Sequence, residues 1–132
     1  MIFNQQGRTE ALDFLAPICE VMKRDEGKPA FDHVIFCTNV TRPETGYNRD
    51  FVNNQYDSQE VKAMATQHRF AAAWSQLDPA AEVRVMGTIQ EAIDYARQLG
   101  HDLEHGEAQV FMTGSIHLVG GALGILEEAD AL

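Results

Sequence analysis

Four short apolar segments alternate along the chain with longer segments in which apolar and polar residues are mixed. Two of the apolar segments, at 34–37 and 108–112, are nearly continuous. Such runs are typical of strands that are buried on both faces of a parallel sheet. The apolar segments predict four strands, at residues 1–3, 31–37, 83–86 and 108–112.

The mixed segments have the spacing and the boundary signals of helices. In the first, apolar residues recur three and four positions apart on one face. The second ends before Pro79, and the third opens with Thr88 and Glu91 as a capping box and has Gly100 as its expected stop. The fourth follows the turn Gly114-Ser115. We therefore predict helices over residues 10–23, 58–77, 88–99 and 116–132.

This order of strands and helices predicts the fold class and the place of any ligand. Alternating strands and helices indicate an α/β fold, Rossmann-like, with a mostly parallel sheet of about four to five strands and helices on both faces. We expect residues 1–132 to form a single domain. Ligands of such sheets bind at the carboxyl ends of the strands. Three polar loops reach that edge, at residues 4–9, 38–45 and 113–117.

Charge and composition exclude several classes of partner. The formal net charge is −10, which argues against nucleic acid and anionic membranes because phosphate contacts require clustered Lys and Arg. No apolar run approaches the ~20 residues that span a bilayer. Cys19 and Cys37 lie in apolar segments, so we expect buried free thiols in a reducing compartment.

The loop after the second strand carries a candidate carboxylate site. Arg42 follows Asn39 and precedes Glu44. An arginine fork beside an amide can clamp a carboxylate, and a nearby carboxylate can receive an amine, so the loop suits an amino acid. An ordinary polar loop with a surface ion pair is the alternative.

The turn at Gly114-Ser115 is a second candidate. It points backbone N–H groups and the positive end of a helix dipole at one spot, which suits a carboxylate or a phosphate. His117 lies in the first turn of that helix and is placed to hydrogen-bond a ligand. The alternative is that Ser115 only caps the helix and His117 only packs.

Other chemistry is absent from the sequence. His101 and His105 have a four-residue spacing, but they lie in a predicted loop, so we expect no metal site. There is no phosphate-loop motif and no GxGxxG after a strand. No nucleophile–base arrangement can be argued, so we assign no catalytic residue.

Three stretches carry a family resemblance. They are Ile-Phe-Asn leading into Arg-Thr at 2–9, Val-Ile-Phe-Cys-Thr-Asn-Val-Thr at 34–41, and Val-Phe-Met-Thr-Gly-Ser-Ile-His-Leu-Val-Gly-Gly at 110–121. Together they resemble the C-terminal domain of folylpolyglutamate synthases of the fungal type, in the muramyl-ligase-like superfamily. The last stretch is the most specific, whereas residues 47–103 add little to the resemblance.

The resemblance implies an ATP-dependent ligase. Such enzymes activate a carboxylate as an acyl phosphate, which the amine of an incoming amino acid attacks. Here one glutamate would be added to the γ-glutamyl tail of a reduced folate. ATP and Mg would serve the full-length enzyme, with none bound tightly by this chain. The implied location is the cytoplasm, the mitochondrion, or both.

The resemblance also suggests residues and a limit on activity. Asn39 and Arg42 correspond to a loop that contacts the incoming amino acid in related ligases, and Ser115 and His117 match the family's C-terminal stretch. We expect these four residues to bind glutamate. The family's ATP-binding domain and its Asp-Gly-Ala-His segment are not in this sequence, so we expect a fragment that is inactive alone.

A fragment would have one structural consequence. A missing first strand would leave an open sheet position and favour self-association through the edge.

Two alternative functions remain open. A non-catalytic α/β interaction or regulatory module derived from this fold is the main alternative function. A flavodoxin-like nucleotide binder has the right element order but lacks a phosphate loop after the first strand.

Overall fold

The chain folds around a small parallel sheet flanked by helices. The computed structural model describes residues 1–43 and 64–130. Its strands are β1 Ile2–Asn4, β2 His33–Cys37, β3 Glu82–Met86 and β4 Met112–Gly114. A 3₁₀ helix Thr9–Phe14 precedes α1 Leu15–Met22, and the other helices are α2 Ala65–Leu77, α3 Ile89–Asp102 and α4 Ile116–Asp130.

The strand order confirms the predicted fold class. The sheet runs β3-β2-β1-β4, and each neighbouring pair is parallel. Ile2 in β1 lies opposite Ile35 in β2 and Met112 in β4. The strand that comes first in the chain is therefore internal, and its end is flanked by the ends of β2 and β4.

Successive side chains along each strand lie on opposite faces of the sheet, so they belong to two separate apolar layers. On one face, Phe3 and Phe36 pack against α1 and α2, with Phe70 and Trp74 among the buried partners. The other face packs against α3 and α4 through Ile2, Ile35, Cys37, Ile89, Ala92, Ile93, Leu118, Ala122 and Ile125. Helices on both faces of the sheet are thus confirmed.

The last strand differs from its prediction. Residues 108–112 were expected as a strand covered on both faces, but β4 is Met112–Gly114 and residues 108–111 are exposed. The register explains the shift, because β1 offers only three partners, Ile2 to Asn4. Thr113 and Gly114, expected in the turn, complete the strand instead.

Two helix boundaries were also wrong, each for a local reason. The helix predicted over 10–23 begins as a 3₁₀ turn, and the α-helix starts only at Leu15. Pro17 has no N–H to donate to the preceding turn, so it is tolerated only near an α-helix start. Gly100 does not stop α3, which ends at Asp102. A Cβ at Gly100 would make only ordinary contact with Ala108, and the positive φ of +67° occurs at Gly106.

The remaining helices agree with their predictions where the structure describes them. The helix predicted over 58–77 is seen from Ala65 to Leu77, and residues 58–63 lie outside the described residues. The last helix is seen to Asp130, and residues 131–132 lie outside as well.

The two edges of the described sheet differ in chemistry. The β3 edge carries exposed Glu82 and Arg84, and charged side chains discourage pairing with another strand. The β4 edge is preceded by exposed Val110 and Phe111. Self-association through an edge stays a prediction. Among the described helices, none combines the length and the apolar character that crossing a bilayer requires.

Leu118 and Leu123 in α4 test the assigned packing of this helix. Leu118 is fully buried, whereas Leu123 is 51% exposed. Leu118→Ala should lower the free energy of unfolding by about 2–5 kcal/mol because it leaves a cavity between α4 and the sheet. Leu123→Ala in the same helix should cost less than about 1 kcal/mol. Urea unfolding measures both, and equal losses would contradict the assigned face of α4.

Candidate functional site

The carboxyl ends of β1, β2 and β4 meet at one edge of the sheet. Asn4, the last residue of β1, lies opposite Gly114, the last residue of β4. On its other side, the Asn4 Nδ2 group donates a hydrogen bond of 2.8 Å to Asn39 Oδ1, just after β2. Asn4, which begins one of the three predicted edge loops, therefore joins the other two.

The loop after β2 is fixed to the turn before α3 by its own polar groups. The Thr38 hydroxyl donates to the carbonyl of Gly87 at 2.6 Å and accepts from the backbone N–H of Val40 at 3.1 Å. The Val40 carbonyl accepts from the N–H of Ile89 at 2.9 Å. This docking holds Asn39 against the sheet, with 6% of its surface exposed.

The N-terminus of α3 is closed to an anion. The predicted capping box is confirmed: the Glu91 N–H donates to the Thr88 hydroxyl at 3.2 Å, and the Thr88 N–H donates to Glu91 Oε2 at 2.8 Å. The N–H of Gln90 donates to the Thr41 carbonyl at 3.0 Å. These partners satisfy donors that an anion would otherwise use.

Gly114 permits the turn into α4 because the backbone approaches Asn4 closely. Its φ is +114°, and an added Cβ would lie 2.3 Å from the Asn4 carbonyl oxygen. The next residue, Ser115, is buried and caps α4, accepting from the N–H of His117 at 3.2 Å. Ser115 therefore caps the helix, which was the predicted alternative to ligand binding. The His117 side chain is half-buried.

A second glycine brings α4 beside the loop after β2. A Cβ at Gly121 would lie 2.7 Å from Ile89 Cδ1 and 3.5 Å from the Thr41 hydroxyl. A Cβ there would require the flexible end of the Ile89 side chain to shift. The loop that carries Arg42 and the helix capped by Ser115 therefore share the edge.

The predicted carboxylate loop is described only as far as its arginine. Arg42 is half-buried at the end of the described part of the loop, and it makes interactions of its own. Glu44, the expected amine partner, lies outside the described residues. The structure brings Asn39 into the same polar edge as Ser115 through Asn4, with no direct bond between the two.

Sequence patterns placed residues 4–9 at this edge without a role for Asn4, and they did not point to Gln67. Both are fully buried, and Gln67 Nε2 donates to Asn4 Oδ1 at 2.9 Å. A signal existed for Gln67, which shares a helix stripe with Phe70 and Trp74 at spacings of three and four. A polar residue on such a stripe indicates a buried hydrogen bond.

Other candidates contribute nothing to the edge. His101 lies in α3 and His105 beyond its end, and the described residues contain no group of three or more metal-binding side chains.

Both cysteines are buried and unpaired by disulfides, as expected. Burial, with a smaller effect of Glu91, raises the pKa of Cys37 to about 12.

Comparison with known proteins identifies relatives over the whole chain. A folylpolyglutamate synthase of Neurospora crassa is 56% identical over 135 residues, which cover 100% of this chain. The chain is homologous to part of the fungal folylpolyglutamate synthases. Synthases of Candida albicans and a Saccharomyces cerevisiae strain are 33% and 32% identical and cover 96% and 98% of the chain.

The match covers only part of each synthase. The chain spans 25%, 24% and 22% of these three relatives, so it corresponds to about a quarter of a synthase. No family model matches the chain, and no solved structure does.

Gly114 and Gly124 provide a matched test of the close approach at the edge. Gly114→Ala should lower the free energy of unfolding by more than about 2 kcal/mol, because the new Cβ meets the Asn4 carbonyl and the backbone is left-handed. Gly124→Ala, in open space on α4, should be neutral or stabilising by up to about 1 kcal/mol. Urea unfolding distinguishes the two, and a neutral Gly114→Ala would contradict the described turn.

Cys37 should resist alkylation in the folded chain. Its raised pKa keeps it as a thiol near pH 8, whereas the thiolate is the reactive form. Iodoacetamide at about pH 8 should modify it only after urea unfolding, as mass spectrometry will show. Between pH 9 and about 12 the unfolded thiol ionises first, so this group's contribution to stability falls as pH rises. Rapid labelling in native buffer would contradict the burial.

Proposed function

We propose that this chain forms the glutamate-binding part of an ATP-dependent ligase that extends the γ-glutamyl tail of reduced folates. The observation that carries the proposal is similarity to folylpolyglutamate synthases along the whole chain. The arrangement of the edge supports it, because two loops with carboxylate-binding chemistry adjoin Asn4. Glutamate offers the carboxylates that such loops suit.

Each candidate residue has a distinct role in the proposal. Arg42 binds a glutamate carboxylate through its guanidinium group, and Asn39 donates from its side-chain amide. Ser115 and His117 bind at the start of α4, where the helix dipole favours negative charge. Together these groups orient the glutamate amine for attack on an activated folate carboxylate.

ATP and Mg enter the proposal through the rest of such an enzyme. The N-terminus of α3 is unsuited to phosphate, because its backbone N–H groups already donate hydrogen bonds within the protein. ATP supplies the activation of the folate carboxylate. The residues of this chain bind and orient the amino acid, in the cytoplasm, the mitochondrion, or both.

The activity is tested by ATP-dependent addition of labelled glutamate to tetrahydrofolate. We expect no product from the 132-residue chain alone. Addition of the ATP-binding part of a fungal synthase as a second chain should restore product. Turnover by this chain alone would contradict the assigned division of roles. Failure to restore activity with a folded, ATP-binding second chain would favour a non-catalytic interaction module.

Arg42→Ala tests the carboxylate assignment directly. Loss of a charge-assisted hydrogen bond should weaken binding of L-glutamate roughly tenfold to a hundredfold. Chemical-shift titration of the labelled chain measures the affinity. Arg24→Ala, in the exposed turn after α1, removes the same charge and should leave affinity unchanged. Equal effects of the two substitutions would show that general charge, and not Arg42 itself, governs binding.

A further inference from the structure

Three amide side chains are buried together at the carboxyl edge of the sheet. Asn4 and Gln67 are 0% exposed, and Asn39 is 6% exposed. Buried amides are costly unless they are hydrogen-bonded, and they fix one another's orientation when they are. The arrangement of these three therefore determines which atoms Asn39 presents to a ligand.

The amides form a directed chain from α2 to the loop after β2. Gln67 Nε2 donates to Asn4 Oδ1 at 2.9 Å, and Asn4 Nδ2 donates to Asn39 Oδ1 at 2.8 Å. In each step an amino group donates to the next carbonyl. The Asn39 carbonyl is thereby occupied as an acceptor. Among the contacts of the described residues, its Nδ2 group has no partner and is left to donate.

We propose that Asn4 and Gln67 are positioning residues that orient Asn39 so that its amino group, and not its carbonyl, meets the substrate carboxylate. This inference rests on the proposed function for the identity of the substrate. Its chemistry is specific, because a carboxylate accepts hydrogen bonds and is repelled by a carbonyl oxygen. Reversal of the amide chain would turn the Asn39 carbonyl toward the ligand.

A purely stabilising role explains Gln67 less well. Its Oε1 atom is buried and has no partner among the described residues. An unsatisfied buried oxygen is destabilising, and an apolar side chain would continue the stripe of Phe70 and Trp74 without that cost. What Gln67 adds at this position is a hydrogen bond to Asn4 Oδ1, which acts with the longer bond of 3.4 Å from Asn4 Nδ2 to Gln6 Oε1 in setting the orientation of Asn4.

Side-chain hydrogen exchange in the ligand-free chain tests the orientation without reference to any substrate. The side-chain amide protons of Asn4 and Gln67 should exchange at least about tenfold more slowly than those of Asn39. The reason is that the Asn4 and Gln67 amides donate hydrogen bonds within the core, whereas the Asn39 amide does not. NMR of the uniformly labelled chain measures all three groups. Protection of Asn39 equal to that of Asn4 would overturn the proposal.

Asn4→Asp should reverse the orientation of Asn39. The variant still accepts from Gln67 but has no donor for Asn39, so the Asn39 amide rotates and donates to it. We expect exchange of the Asn39 amide to slow and the affinity for L-glutamate to fall about tenfold to a hundredfold. Gln98→Glu, which adds the same charge on the exposed face of α3, should change neither quantity.

Gln67→Met keeps the test decisive if Asn4→Asp does not fold. It has similar size and no charge, and it removes the hydrogen bond that Gln67 Nε2 donates to Asn4 Oδ1. Asn39 exchange should slow several-fold, with a smaller loss of glutamate affinity than in Asn4→Asp. Unchanged exchange and affinity in the folded variants would overturn the positioning role and leave the proposed function intact.

The converse result is distinguishable. If the exchange pattern is as expected but the unmodified chain shows no shift with L-glutamate, the orientation stands. The proposed function then fails at this site. If glutamate binds and the Asn39 amide resonances do not respond, Asn39 does not contact it and the positioning proposal fails.

Discussion

The hydrogen bonds made by Asn4, at the end of the internal strand β1, connect the sheet to the polar residues at its carboxyl edge. Its backbone continues the pairing of β1 with β4 as far as Gly114. Its side chain reaches in the other direction to Asn39 and into the core to Gln67. The loop after β2 and the turn into α4 therefore share a common reference point. Displacement of Asn4 would alter both at once.

One glycine makes this convergence sterically possible. Gly114 lets β4 turn into α4 directly beside Asn4, where a Cβ would lie 2.3 Å from the Asn4 carbonyl oxygen. Gly121 places α4 against the flexible end of the Ile89 side chain and near the Thr41 hydroxyl. The close approach of the Asn4 and Gly114 backbones therefore depends on the absence of a side chain at Gly114. Polar hydrogen bonds then fix the loop, since apolar burial alone would not orient it.

Sequence patterns were sufficient for the architecture and for placing the candidate loops at one edge of the sheet, but not for the hydrogen bonds within that edge. Continuous apolar strands and the Thr88–Glu91 capping box predicted the parallel sheet and the start of α3 correctly. The limits of β4 depended on the length of its partner strand, which no local pattern contains. Gly100 was predicted to stop α3, but the helix continues to Asp102. Asn39 and Ser115 were found because they follow strands. Gln67 was missed because its partner is 63 residues away in sequence.

The amide chain also has a consequence for how the edge responds to its surroundings. None of its three members gains or loses a proton in the physiological range, because carboxamides do not titrate there. The hydrogen bonds among Asn4, Asn39 and Gln67 therefore keep their donors and acceptors in both acidic and alkaline media. If the edge binds a ligand as proposed, any pH dependence of that binding would originate in the ligand or in ionisable neighbours. The orientation of the three amides is therefore independent of pH, whereas the charges on ionisable neighbours are not.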